Sequence, residues 1–232
     1  MITVTAFKWV PPFAQGQVRD HRVRWILNEV GWSYDVRLLD ALDQRTDSYR
    51  AQQPFGQVPV LAEDGRQPLF ETGAIVLDVA LRAGRFLPDD PDRRAQTLCW
   101  YFAALNSIEP FLMNVAEVEF FMDDETEKTM RRPRTRAMAR TRLAELQRAL
   151  GDRSWLVGPD FTVADLMTSS VLKIARSLDM LSEYPTLAAY QDRCFDRPAY
   201  RKAIADQCAT FDQHGMDDMK FGEARRLAGA AP

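Results

Sequence analysis

Cysteine, histidine and glycine are scarce in this chain, at 3, 2 and 11 of 232 residues, and each scarcity removes a class of protein. Cys99, Cys194 and Cys208 stand far apart with no C-x-x-C pair, which argues against a disulfide framework and, with so few histidines, against a zinc site. No metal is expected, and the reducing cytoplasm is the expected setting. No stretch approaches the ~18 continuous apolar residues of a membrane span. Met1 to Phe7 carries no charged segment followed by an apolar one, so neither secretion nor insertion is expected. An excess of one charge is missing too. Lys plus Arg number 30 against 33 Asp plus Glu, a formal charge of -3 that gives no global attraction for phosphate backbones or anionic lipid surfaces. Repeats and low-complexity tracts are absent. What remains is 46% apolar and 27% charged residues, enough for a core in one large domain or two small ones, with an Ala- and Gly-rich end, Leu227 to Pro232, expected to fray.

Ile2, Val4 and Ala6 alternate with Thr3, Thr5 and Phe7 in a β-rich run that ends at Pro11-Pro12, which predicts a first strand and a loop. From Gln17, Val18, Val23, Ile26, Leu27 and Val30 recur at helical spacing up to a capping glycine, Gly31. Tyr34, Val36 and Leu38 predict a second strand, and Asp43 to Gln53 a polar helix ended by Pro54. Val58 to Leu61 and Gln67 to Phe70, separated by Glu63-Asp64-Gly65-Arg66, predict a hairpin, and Glu71 to Leu81 a helix. The order is βαβαββα over residues 1–82. The breaker cluster in 83–92 (Gly84, Pro88, Asp89, Asp90, Pro91) reads as a linker, and 93–232 as an all-helical domain. There, Leu98 through Leu112 predicts one long helix, Met138 through Leu150 a second, and Pro185 and Pro198 the first turns of two shorter ones. The sharpest local signal is Thr162-Val163-Ala164-Asp165, a capping box flanked by Phe161 and Leu166 as a hydrophobic staple.

Two further motifs lie in the first half: Pro54-Phe55-Gly56-Gln57-Val58-Pro59-Val60-Leu61 and Phe70-Glu71-Thr72-Gly73-Ala74-Ile75. With the capping box, with Arg197-Pro198-Ala199-Tyr200 and in this order over nearly the whole chain, they resemble the soluble glutathione transferase superfamily. The resemblance implies an α/β thioredoxin-like domain with a mixed sheet, followed by an all-α domain. It implies glutathione as co-substrate, a thiolate added to a small hydrophobic electrophile, a detoxifying role and a homodimer, without nucleic-acid or membrane partners. It also implies that Pro59 is cis, leaving the Val58 amide and carbonyl to pair with the cysteinyl backbone of glutathione. Glu71 and Thr72 then take the ammonium and carboxylate of the γ-glutamyl group at a helix start. Gln57 stands where many members carry Lys for the glycine carboxylate, so its contact there is a neutral hydrogen bond.

The chain departs from the family at the sulfur. A thiol with a pKa near ~8.5 is mostly protonated at neutral pH, and most members supply a Tyr, Ser or Cys to favour the thiolate. Counting back from Gly31, those positions fall near Phe13 and at Gln17, neither of which has a hydroxyl or thiol. The segment offers Gln15, Gln17, helix-start amides and Arg19. Two readings of Arg19 stand: a cation that favours the thiolate without giving up its own proton, or a solvated helix-one arginine like Arg22 and Arg24. His21 lies a turn further on and is set aside as a base. Trp9 and Phe13 are candidates for the electrophile pocket, with Asn106 and Glu109 as polar ones; Trp100, Tyr101 and Phe102 read as helical core. The missing hydroxyl leaves two alternatives to transfer: a glutathione-dependent peroxidase or disulfide reductase, and a non-catalytic interaction module. The basic run Lys128 to Arg142 reads as a solvated helix face or a charge pairing across a subunit contact, with a nucleic-acid patch as the alternative. Cys194 and Cys208 read as buried or incidental thiols.

Overall fold

The computed structural model describes residues 1–224; the fraying expected of Leu227 to Pro232 lies outside the described residues. The chain forms two compact units, Met1–Ala83 with the described residues from Pro198 on, and Gly84–Arg197.

The first unit is built on a four-stranded mixed sheet, β1 (Ile2–Phe7), β2 (Asp35–Leu39), β3 (Val60–Glu63) and β4 (Leu69–Phe70), in the order β2-β1-β3-β4. β1 runs parallel to β2 and antiparallel to β3, which pairs antiparallel with β4. Central β1 buries Ile2, Val4 and Ala6 together with Thr5 between them, so both of its faces are covered. Its parallel partner requires a crossover, and α1 (Asp20–Val30) supplies it. Gly31 stops α1 at φ 75°, a conformation open to glycine at little cost. The polar helix expected over Asp43 to Gln53 is shorter than its composition suggests. It is a 3₁₀ turn (Asp43–Arg45) and one turn of α-helix, α2 (Asp47–Arg50), because Thr46 adopts extended backbone and caps Tyr49 with its hydroxyl. α3 (Thr72–Ala83) completes βαβαββα.

α1 packs against α3 and, within this unit, against α9 (Pro198–Asp212). The division expected at 83–92 assigns α9 to the helical half; in the structure it lies with α1. The Trp25 and Tyr200 rings meet edge to face with centroids 4.8 Å apart, and the Asn28 side-chain amide donates to the Ala199 carbonyl at 3.2 Å. Covered from both sides, α1 buries its polar residues as well as Val23, Trp25, Ile26 and Leu27. His21, Arg22 and Arg24 are all at least 98% buried, so the solvated character expected of Arg22 and Arg24 is corrected. Buried cations need partners, and Arg24 finds one in Asp20 at 2.7 Å.

The second unit is helical throughout: α4 (Pro91–Ala103), α5 (Glu109–Ala116), α6 (Glu125–Leu150), α7 (Val163–Ser177) and α8 (Pro185–Phe195). The long helix expected from Leu98 through Leu112 is interrupted. A π-helical segment, Ala104–Ile108, separates α4 from α5, and Pro110, which cannot donate an intrahelical bond, sits in the first turn of α5. The capping box at α7 closes: the Asp165 carboxylate accepts the Thr162 amide at 2.9 Å and the Thr162 hydroxyl at 3.0 Å. It also accepts the Leu156 amide and the Tyr190 hydroxyl, each at 2.9 Å.

Candidate functional site

The two motifs of the first unit converge at one end of the β3–β4 pair. Val60 lies opposite Phe70 and Leu61 opposite Leu69, so the Val58–Pro59 segment that leads into β3 and the Glu71–Thr72 turn that leaves β4 stand at the same end of this antiparallel pair. The Val58–Pro59 bond is cis. Among the described residues no hydrogen bond is made by the Val58 N–H or C=O, so both are available to an extended ligand backbone. Across from it, Glu71 holds φ at 66°, and its carbonyl accepts the Ile75 amide, the first bond of α3. Thr72 is the first residue of α3, so its amide is one of those a helix start leaves without an intrahelical partner. Arg22 Nη1 donates to the Thr72 hydroxyl oxygen at 3.4 Å, and a guanidinium cannot accept in return. The Thr72 hydroxyl hydrogen is therefore not taken up by Arg22, and the hydroxyl can donate to an acceptor beside a helix start and a buried cation that both favour an anion.

The Val58 loop is held from below by a relay that the sequence did not disclose. The Val60 amide donates to Thr5 Oγ1 at 2.7 Å, Thr5 Oγ1 and Tyr49 Oη are 3.1 Å apart, and Tyr49 Oη donates to the Gln57 carbonyl at 2.6 Å. With Tyr49 donating to Gln57, the Thr5 hydroxyl donates to Tyr49, and every polar atom of this buried chain is used. The Tyr49 ring packs with Leu39 and Val60, and Val58 lies against them. Burial pushes the Tyr49 hydroxyl above its ordinary pKa, which keeps it a donor. Gln44 Nε2 grips the Gly56 carbonyl at 2.8 Å and Arg50 Nη1 the Pro54 carbonyl at 3.1 Å. Gly56 turns at φ 67°, and a Cβ there would lie 3.0 Å from the Gln44 carbonyl oxygen. The Gln57 side chain itself is exposed.

The segment expected to face the sulfur leaves β1 through half-buried Trp9 and forms a 3₁₀ turn, Pro12–Ala14, on which Phe13 is 48% exposed. Gly16 follows at φ 73° and α1 begins at Asp20, three residues later than the periodicity from Gln17 suggests. Gln15 turns its side-chain amide back onto the Val10 carbonyl at 3.2 Å, so that amide is engaged within the segment. Gln17 is half-buried, and Arg19 is exposed at the N-cap of α1. The first unit thus carries Trp9, Phe13, Gln15, Gln17, Arg19, Gln57, Val58, Pro59, Glu71 and Thr72. Asn106, the remaining candidate, is an exposed residue of the π segment in the second unit, where Glu109 is buried.

Outside these segments, three cations of the basic run meet acids of their own unit: Arg132 and Arg136 share Glu119 at 3.1 and 3.0 Å, and Arg140 holds Glu183 at 2.8 Å. Burial pushes the Cys194 thiol far up. Among the described residues no group of three His, Cys, Asp or Glu could hold a metal ion, and no helix is long and apolar enough to cross a membrane.

Comparison with known proteins accounts for both units. The family model for the glutathione S-transferase N-terminal domain matches residues 7–79, and that for the C-terminal domain matches residues 111–205. Glutathione S-transferase GstA of Escherichia coli O157:H7 is 29% identical over 195 residues, covering 77% of this chain and 89% of that protein. The disulfide-bond oxidoreductase YfcG of Escherichia coli K12 is 25% identical over 195 residues, covering 79% and 89%. A glutathione transferase family member from Pseudomonas fluorescens Pf-5, solved with two glutathione bound, superimposes with a TM-score of 0.76 at 24% identity, covering 88% of this chain and 92% of that one. A mixed sheet in βαβαββα order, a cis Val58–Pro59 bond at the end of the sheet where α3 begins, a helical second unit and both domain models lead to one assignment: the chain belongs to the glutathione S-transferase family.

Proposed function

We propose that this chain binds glutathione on the Val58 and Glu71–Thr72 pair and adds its thiolate to a small hydrophobic electrophile. The observation that carries the reading is that the Val58 amide and carbonyl and the Thr72 amide and hydroxyl stand at the same end of the β3–β4 pair. An extended peptide ligand pairs with the first as an added strand, and a carboxylate is held by the second. Glu71 takes the γ-glutamyl ammonium and Gln57 the glycine carboxylate. Arg19 favours the thiolate in place of a hydroxyl, with Gln15 and Gln17 beside it. Trp9 and Phe13 offer apolar surface to the electrophile. In the transfer the sulfur forms a bond to an electrophilic carbon as a leaving group such as chloride departs with the electron pair. A detoxifying role in the cytoplasm and a homodimeric state complete the reading.

A second reading, glutathione-dependent reduction of a disulfide or peroxide, is favoured by the lack of Tyr, Ser and Cys at Phe13 and Gln17 and by the likeness to the oxidoreductase YfcG. Glutathione calorimetry with turnover on a chloronitroaromatic, a hydroperoxide and a mixed disulfide separates them. Saturable binding with turnover of the chloronitroaromatic is the expected result. Turnover of the disulfide or hydroperoxide alone selects the reductase, and binding without any turnover selects an interaction module. Absence of binding overturns the whole reading.

A further inference from the structure

A cleft of about 860 Å³ opens in the first unit where the end of α1, the start of β2 and one face of α9 come together. Its two helices are tied to each other: the Asn28 side-chain amide donates to the Ala199 carbonyl at 3.2 Å, and the Trp25 and Tyr200 rings add their edge-to-face contact. Trp32, Val36 and Pro198 supply apolar wall, and the Arg82 guanidinium lies 4.8 Å from the centre of the Trp32 ring. The ionisable members are Arg24, Glu29, Tyr34 and the Lys202–Asp206 pair. This cleft is separate from the groups around Val58 and Thr72. Arg22 and Arg24 stand two residues apart on α1, roughly 200° around the helix, and Arg22 reaches Thr72 while Arg24 lines the cleft.

Arg24 is 2% exposed and donates from Nε to the Asp20 carboxylate at 2.7 Å. Its Nη2 is buried with no hydrogen-bond partner among the described residues, and so is the Tyr34 hydroxyl. Arg24 favours the Tyr34 phenolate, but burial outweighs it and raises the hydroxyl above its ordinary pKa, which keeps it a donor. Buried donors without an acceptor are costly, and the cost is recovered when an acceptor is brought to them. Both belong to side chains that line the cleft, and Tyr34 is itself half-buried, so the acceptor they lack can come from there.

The charges nearby select that acceptor. Arg24 already faces Asp20, Lys202 faces Asp206 at 2.6 Å, and Glu29 adds a further acid, so the cleft has no surplus of positive charge for a multiply charged phosphate. A single carboxylate is planar, takes two donors side by side and matches a guanidinium with a phenol beside it. The apolar wall suits an apolar body. We propose that this cleft is a second ligand site for a small apolar monocarboxylate, its carboxylate held by Arg24 and the Tyr34 hydroxyl and its body packed on Trp32 and Val36. The proposal does not depend on the glutathione reading.

Titration calorimetry of the whole chain with benzoate, and with benzamide as its neutral counterpart, tests it in wild type, Tyr34→Phe and Arg24→Lys. Benzoate should bind saturably and about tenfold or more tighter than benzamide. Tyr34→Phe keeps the ring and removes one donor, so benzoate affinity should fall about three- to tenfold with benzamide affinity within about twofold. Arg24→Lys keeps a charge facing Asp20 but loses the planar fork, and should remove most of the preference for the carboxylate; where it does not fold, Tyr34→Phe carries the test. S-methylglutathione should leave benzoate in place. Lack of saturable binding, equal affinity for benzoate and benzamide, benzoate affinity unmoved by Tyr34→Phe, a preference retained in folded Arg24→Lys, or displacement by S-methylglutathione would each overturn the proposal.

Discussion

Asp20 and Asp165 stand in the first turns of α1 and α7, each wholly buried, and they are held in opposite ways. Burial raises both carboxyls, against the lowering effect of Arg24 and Gln207 at Asp20 and of the Leu156 and Thr162 amides at Asp165. Asp165 is surrounded by neutral donors, three of the four within nine residues upstream, and it closes a box that any chain carrying Thr-x-x-Asp before an apolar run can form. Asp20 is paired with a cation on its own helix and with an amide from α9. The first arrangement stabilises a helix. The second also ties the start of α1 to α9, so it joins two segments far apart in the chain.

The contrast is broken most severely at Asp165. Asp165→Ala leaves two amides and two hydroxyls buried without their acceptor, and should cost at least ~3 kcal/mol of stability, read as a fall in the denaturation midpoint. A shift under ~1 kcal/mol would mean that the box is replaceable.

Tyr49→Phe should be milder and more selective. It removes the hydroxyl that holds the Gln57 carbonyl and satisfies Thr5, about 1 to 1.5 kcal/mol of stability, while the ring remains packed on Val60. Glutathione affinity should fall several-fold with the bound thiol pKa unchanged, the reverse of the pattern expected for Arg19→Ala. Calorimetry beside the thiol titration distinguishes the two.

The smallest effect is expected at the end of β2. Burial raises the Asp40 carboxyl, but hydrogen bonds from Lys220, the Asp43 amide, Lys8 and the Leu42 amide outweigh it and hold the group well below the usual carboxylate range. A carboxyl depressed on folding contributes stability that is present above its unfolded pKa of ~3.9 and is lost as pH falls through the folded value. Lys220→Met should therefore lower stability modestly at pH 7 and flatten the acid limb of the stability profile below about pH 4. Equal losses at pH 7 and in the acid limb would contradict this assignment.

Legibility followed the same line as the contrast. The strands, the hairpin, α1 and α7 were readable because alternation, helical spacing, Gly31 and the Thr162 box are local signals. The turn that shortens α2 was also local, at Thr46, but a run of polar residues hides a single extended one. The π segment between α4 and α5 had no signal in the apolar spacing, which continues through it. In the candidate site, Val58, Glu71 and Thr72 stood out as parts of motifs. Thr5 and Tyr49 did not, because a threonine in a strand and a tyrosine in a polar helix carry no mark of the relay they form. Arg22 and Arg24 looked like solvated charges because nothing near them in sequence announces that α3 and α9 cover both sides of their helix. Gln207 was unreadable for the same reason, being a neutral residue whose partners lie at the other end of the chain.

We propose that glutathione is held by one set of groups and its thiol ionised by another, with Arg19 supplying what a hydroxyl supplies elsewhere. The most direct measurement is the ultraviolet titration of the bound thiol in Arg19→Ala. The expected result is a thiol pKa raised by about one unit or more, with turnover lost at neutral pH and recovered as pH rises, because hydroxide then supplies the thiolate. A thiol pKa unmoved by Arg19→Ala but shifted by Gln17→Ala would contradict it and assign the sulfur to the glutamine segment.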